Sequence, residues 1–351
     1  INGLGGNDRF MVNYANGDPI PSSGIVFNGG GNAGTPADSL TITGNGNNHG
    51  LYLPDSLATG SGTLLVDGKR IRFTGLEPVV VSGFFEFTMV TPNSNDVVSI
   101  DSPAAGLNRV AGTSGNVAFE DVTFFNVSHF KLDTASNDSP LANPNDTVTF
   151  LPGNQLVATG LLSFTIETGE GNDTVNAGAL TAASLVGVTV FAGPGNDTLT
   201  GGALADLLDG AAGQDVLTGG AGANVVLGGP GADLINGGQG NDIVDGGDDP
   251  DVYVFTGGAG APAPNDNIVV EPDAALPPAG AYAKVRVTNA PAATSALLSD
   301  IEQLDINTGG SPGGIPSDVV TINALAGTEL QVINVDAGTD ANNRAILNGS
   351  D

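Results

Sequence analysis

From Ala192 the chain reads AGPGNDTLT, GGALADLLD, GAAGQDVLT, GGAGANVVL, GGPGADLIN, GGQGNDIVD and GGDDPDVYV, seven consecutive nine-residue units that end at Val254. The pattern is G-G-x-G-x-D-x-U-x, with U a large apolar residue. An eighth unit, TGEGNDTVN, sits apart at 168–176, and a variant, GLGGNDRFM, opens at Gly3. The residue types suit a hard cation. Glycines allow positive φ and let carbonyl oxygens converge without interference from a Cβ. The aspartate adds an anionic oxygen, and Ca²⁺ takes six to eight oxygens in flexible geometry. The candidate metal positions are the carboxylates Asp173, Asp197, Asp206, Asp215, Asp233, Asp242 and Asp251. With them go the loop glycines Gly193, Gly195, Gly229, Gly231, Gly238 and Gly240.

Short strands must position these loops. The U residues Leu199, Leu208, Leu217, Val226, Ile235, Val244 and Tyr253 point inward, and two units make one coil of a flattened solenoid. Loops on one edge then recur every second unit. Asp197, Asp215, Asp233 and Asp251 line one edge; Asp206, Asn224 and Asp242 line the other. Position seven faces outward and reads Thr198, Leu207, Val216, Val225, Leu234, Ile243 and Val252. That apolar ladder either packs on another layer or reflects β-propensity alone.

These units resemble the RTX (repeats-in-toxin) calcium-binding nonapeptide array over 168–254. The resemblance implies a right-handed parallel β-roll that orders on binding Ca²⁺, in a protein exported from a bacterium. It does not imply a toxin, because such arrays accompany enzymes, adhesins and surface-layer proteins alike. Three departures are expected to weaken or empty their turns: Asn224 for the aspartate, Leu204 for the loop glycine and Ala211 for the second glycine.

A looser strand start, D-x-[VL]-x-[IFA], recurs outside the array at Asp38, Asp96, Asp146 and Asp318. Five- to seven-residue strands separated by Asn/Asp/Gly/Ser turns fill both flanks. No window sustains a helical period, and Ala292–Ile301 allows one short helix at most. The expectation is an all-β chain: irregular parallel β-helix at 1–167, calcium β-roll at 168–256, and irregular coils at 257–351. The last includes a Pro/Ala-rich excursion at 257–283.

Nine Lys+Arg stand against 38 Asp+Glu, a net charge of −29. That balance excludes a nucleic-acid footprint and disfavours an anionic membrane surface. It also opposes compaction unless cations neutralise the carboxylates. With no Cys there is no disulfide or thiolate site, and no run suffices for a membrane span.

Catalysis has little to work with. Lys69, Arg70, Arg72, Arg109, Lys131, Lys284, Arg286, Arg344, His49 and His129 are the candidate proton-moving or charge-stabilising groups of a β-helix polysaccharide lyase or epimerase. The plainer role is as counterions to acidic turns, or structural histidines. No G-x-S-x-G, P-loop or H-E-x-x-H motif is present. Neither end reads as a solenoid cap, so the expectation is a module of a longer array, joined in tandem or stacked head to tail on copies of itself. The expected function is an extracellular, calcium-stabilised structural module of a bacterial surface fibre, sheath or matrix. An adhesin stalk and the β-helix enzyme are the alternatives.

Overall fold

The computed structural model describes residues 1–256 except 4–5, 31–37, 57, 77, 93 and 138–143, and beyond 256 it describes 267–272, 285–289, 294–299, 301–307, 319–323, 325, 328, 330–336 and 344–348. The expected excursion at 257–283 and Asp318 therefore fall largely or wholly outside the described residues. The described regular elements are all strands. They form two compact units, Ile1–Gly193 and Pro194–Asp351.

In the first unit, Arg9–Asn13, Ser39–Pro54, Val79–Val90, Val122–Asp133, Ser163–Glu167 and Val188–Phe191 stack in parallel, coil upon coil. Leu40 lies over Val79 and Val79 over Val122; Phe130 lies between Phe87 and Phe164. Side-chain alternation sends every second residue inward. The result is an aromatic core, with Phe130 stacked on Phe124 at 4.1 Å, on Phe164 at 5.3 Å and on Phe87 at 5.9 Å between ring centroids. All four rings are buried. The other face pairs Ile25–Asn28 with Lys69–Thr74, and Asp96–Asp101 with Thr147–Phe150 and then Thr174–Asn176.

Two antiparallel excursions leave these coils. Gly62–Val66 folds back on Ser39–Pro54 and on Lys69–Thr74, turning at Asp67–Gly68 with φ of +49° and +78°. Asn108–Ser114 folds back on Asp96–Asp101, and its far end turns at Gly115–Asn116. Consecutive positive φ values are those of a type I′ turn, whose twist matches that of paired strands.

The second unit begins as a regular roll. Thr198–Thr200, Val216–Thr218, Leu234–Asn236 and Val252–Thr256 stack in parallel on one side, then continue into Gln303–Asn307 and Val332–Asp336. Leu207–Asp209, Val225–Leu227, Asn241–Asp245 and Thr294–Ser299 stack on the other. The expected inward residues form two buried ladders, Leu199–Leu217–Ile235–Tyr253 and Leu208–Val226–Val244. The helix allowed at 292–301 is instead the strand Thr294–Ser299. It gains ladder bonds from Asn241–Asp245 on one side and Val285–Asn289 on the other, and pairing overrides its alanine- and leucine-rich local preference. Among the described residues, no helix is long and apolar enough to cross a membrane.

Candidate metal centre

Asp197, Asp206, Asp215, Asp233 and Asp251 each precede an array strand, at the corner where loop becomes strand, while Asn224 takes that place before Val225–Leu227 and Asp242 lies within Asn241–Asp245. There the carboxylate reaches along the stack to the neighbouring coil. The Asp197 amide donates to Oδ1 of Asp215 (2.7 Å), the Asp215 amide to Asp233 (2.8 Å) and the Asp233 amide to Asp251 (2.8 Å). On the opposite edge the Asp206 amide donates to Oδ1 of Asn224 (3.0 Å), and the Asn224 amide to Asp242 (2.9 Å). The structure thus groups the carboxylates on the two edges that the nine-residue spacing implies. Asp173 belongs to the first unit, where its Oδ1 accepts from the Asp146 amide (2.7 Å).

Asp215, Asp233, Asp242 and Asp251 each use one carboxylate oxygen in this way, whereas Asp206 Oδ2 accepts from the Gly202 amide of its own loop (2.6 Å). In those four the other oxygen faces inward: Oδ2 of Asp215, Asp233, Asp242 and Asp251 is buried with no hydrogen-bond partner. A carbonyl oxygen stands close to several of them. Asp233 Oδ2 and the Gly246 carbonyl converge on the point where a Cβ on Gly228 would lie. Asp215 Oδ2 and the Gly228 carbonyl do the same beside Gly210, the carbonyl 3.0 Å from that point. Two acceptors facing one space need a donor or a cation between them. Burial pushes the carboxyls of Asp215, Asp233 and Asp242 up to about 6. Asp251 is raised to about 7, first by burial and then by the charges of Asp233, Glu302 and Asp249. No Lys, Arg or His occurs between Lys131 and Lys284 to relieve that charge.

These donors fit a calcium-class ion. They are hard oxygens, carboxylate and carbonyl, in cradles that a glycine leaves open. No cluster of three or more His, Cys, Asp or Glu suited to a metal occurs among the described residues. The donor set is therefore a carboxylate per turn supplemented by backbone, not a carboxylate cage.

The loop glycines leave room for backbone carbonyls of the neighbouring coil. Gly229 and Gly238 have φ of +106° and +92°, and a Cβ there would overlap the carbonyl oxygens of Ala211 and Gly220. Gly231 and Gly240 stand likewise against the Gly213 and Gly222 carbonyls. In the first unit, Gly193 faces the Gly169 carbonyl with φ of +99°. Gly195 has φ of +158°, and its amide donates to the Ala212 carbonyl (2.8 Å).

The departures have physical readings too. Ala211 keeps the left-handed conformation, φ +64°, so its carbonyl stays in line at a strain of roughly 1–2 kcal/mol. The Leu204 backbone occupies the place of the missing glycine, with its carbonyl oxygen 2.6 Å from the point where a Cβ on Gly222 would lie. Asn224 is more telling. Its Nδ2 donates to the Gly237 carbonyl (3.1 Å), so an amide hydrogen occupies the space that an aspartate leaves between two acceptors.

The basic side chains are spread as counterions over the first unit. Arg109 pairs with Asp101 (2.5 Å) and Asp121 (3.2 Å), Lys131 with Glu167 (2.6 Å) and Asp133 (3.2 Å), and Lys69 with Asp18 (3.9 Å). His49 lies 3.9 Å from Asp67, and His129 Nδ1 lies 2.8 Å from Ser163 Oγ. Arg70 and Arg72 are exposed on one face of their strand, as their spacing implies. Lys284 and the Arg344 side chain lie outside the described residues, and Arg286 is set opposite Glu271 in a strand pair.

Sequence reasoning did not place Glu302 in the ladder. Its Oε2 accepts from the Asp251 amide (2.7 Å) and so replaces the aspartate in the coil that follows the last nonapeptide. Its only signal was an acidic residue ahead of the alternating strand Gln303–Asn307.

A family model described as the RTX calcium-binding nonapeptide repeat (4 copies) matches residues 165–179, 191–226 and 218–253. No curated protein matches the chain. Such repeats are structural calcium-binding elements, typical of secreted or extracellular bacterial proteins. Residues 165–179 and 191–253, with their carboxylate ladders and glycine cradles, thus carry RTX calcium-binding nonapeptide repeats.

Proposed function

We propose that this chain is an extracellular structural module, a β-solenoid set by calcium and built into a bacterial surface fibre, sheath or matrix beside copies of itself. The observation that carries the reading is the row of buried carboxylate oxygens left bare in a segment without basic residues. Asp197, Asp206, Asp215, Asp233, Asp242 and Asp251, with neighbouring loop carbonyls, would hold the ions at the two edges. Bound calcium supplies the positive charge that the segment lacks. The carboxylates themselves tie coil to coil through Oδ1, so holding Oδ2 as well fixes both ends of each link.

This makes the roll mechanically stiff only where calcium is plentiful. In a low-calcium compartment the edge carboxylates repel one another and the short strands have little else to hold them. At 10⁻⁴–10⁻³ M calcium, the range of weak extracellular modules, the edges lock. Assembly with copies is supported by apolar residues on the outer faces: Val216, Leu234 and Ile243 are 42 %, 43 % and 48 % exposed.

Electron microscopy at about 5 mM calcium, above that range, and then in excess chelator tests the reading. Regular filaments that loosen on chelation are expected. Dispersed monomers in both conditions would overturn it and favour the adhesin stalk or the polysaccharide-active β-helix.

A further inference from the structure

The oxygen geometry of the array reappears far from it. In the first unit the Asp8 amide donates to Oδ1 of Asp38 (2.5 Å), the same coil-to-coil link that joins Asp215 to Asp233. Asp38 is fully buried, and its Oδ2 has no hydrogen-bond partner. That oxygen lies 2.6 Å from the point where a Cβ on Gly29 would sit, and the Gly75 carbonyl oxygen meets the same point. Gly228, Asp233 Oδ2 and the Gly246 carbonyl show the identical arrangement. One coil earlier it occurs again: Asp8 Oδ2 and the Gly29 carbonyl, the latter 2.6 Å away, converge on the open side of Gly3. Oδ2 of Asp8 is likewise buried without a partner. No basic side chain forms an ion pair with either carboxylate among the described residues.

We propose that Asp8 and Asp38, with the carbonyls of Gly29 and Gly75, form a second calcium-binding edge in the amino-terminal coils, outside the residues that match the nonapeptide family. The donors are two carboxylates and two backbone carbonyls, all hard oxygens, and the ligand class is a divalent cation of calcium size. A smaller ion that demands strict octahedral geometry is less well served by oxygens fixed on parallel backbones. The sequence conceals the site because Asp8 and Asp38 are 30 residues apart, against 18 for Asp215 and Asp233. The inference rests on the reading that the array's equivalent cradles hold calcium.

Asn224 shows how to test it. An asparagine there keeps the Oδ1 acceptor while its Nδ2 donates to the facing carbonyl. Asp38→Asn should do the same: retain the link to the Asp8 amide, bond the Gly75 carbonyl and dispense with the ion. The experiment counts calcium ions on the full chain by native mass spectrometry, with hydrogen exchange of 8–13 and 38–43 followed with and without calcium. Asp38→Asn should bind at least one ion fewer than wild type and lose the calcium-dependent protection of those two segments. In chelator, its protection there should equal or exceed that of wild type. A control carrying Asp215→Asn, Asp233→Asn, Asp242→Asn and Asp251→Asn should lose array ions yet keep calcium-dependent protection at 8–13 and 38–43. An unchanged ion count in Asp38→Asn overturns the second edge and leaves the array intact. A wild-type chain that takes up calcium only at the amino-terminal edge refutes the reading of the array instead. Loss of protection in both calcium and chelator would mark Asp38 as a purely structural residue and also overturn the proposal.

Discussion

The nonapeptide array and the amino-terminal coils solve the same problem with different materials. Both stack parallel strands and run carboxylate-to-amide links along an edge. In the array each link spans 18 residues without variation, whereas among Asp8, Asp38, Asp96, Asp146 and Asp173 the spans are 30, 50 and 27 where links form. The amino-terminal coils enclose Phe84, Phe87, Phe124, Phe130 and Phe164, all nearly inaccessible to solvent. The three-residue strands of the array each enclose one Leu, Ile or Val. Burial at roughly 25 cal/mol per Å² therefore favours the amino-terminal coils. A regular short coil has less apolar surface to bury and depends correspondingly on its edges.

The sharpest way to break this contrast is to remove calcium and watch each region by hydrogen exchange. Each saturated site would add about 2.7 kcal/mol at a hundredfold excess over Kd, and the array repeats its carboxylates turn after turn. Chelation should therefore strip protection from 194–256 and leave the phenylalanine core at 79–133 largely protected. Equal loss in both regions would mean the cores are not what distinguishes them. The converse experiment is Phe130→Ala, which should cost about 3–5 kcal/mol with or without calcium, as read from denaturant midpoints. A calcium-dependent penalty would show that the aromatic core and the ions are coupled.

Within the array, Asp233→Ala should lower the melting temperature in calcium by the equivalent of about one site, about 2.7 kcal/mol at a hundredfold excess. In chelator it should cost only about 1 kcal/mol, for the one Asp215 amide bond it deletes. Asn224→Ala should cost about 1–3 kcal/mol in both, because it deletes two buried hydrogen bonds and no ion. Identical calcium dependence in the two variants would show that the aspartates do not bind it.

A separate effect is expected with pH. In chelator, the array carboxyls at about 6 to 7 lie above the unfolded 3.8, so the folded state holds extra protons. Their stabilising contribution is complete below about 4 and is lost as pH rises through 6 to 7. Asp146, raised to about 8 mainly by burial, extends that loss to about pH 8 in the amino-terminal coils. Melting temperatures across pH 4–9 in chelator should therefore fall in two windows. Saturating calcium should abolish the decline in the array.

What the sequence disclosed follows the same division. Where the coil length is constant, residue type and number sufficed: Asp215 sits on Asp233 and Leu217 on Ile235, as a nine-residue period requires. Where hairpins lengthen the coil, spacing no longer reports which residues stack. The strand starts at Asp38, Asp96 and Asp146 were visible as a motif, but not the amides and carbonyls they face. Asp8 was visible only as a variant of the repeat. Glu302 was hidden for a different reason: one extra methylene lets it reach the Asp251 amide from outside the motif. The strand Thr294–Ser299 was obscured because it pairs with Asn241–Asp245, some distance back along the chain.

The hairpin over Asn108–Ala118 carries a practical corollary. The chain departs from its coil, turns at the exposed Gly115–Asn116 pair, and the parallel stacking of Asp96–Asp101 on Thr147–Phe150 is unaffected by how far it went. Contour length is thereby uncoupled from the stack. An exposed tip of that kind accepts foreign sequence with little penalty. A peptide grafted between Gly115 and Asn116 should be displayed on a scaffold whose coils never register its length.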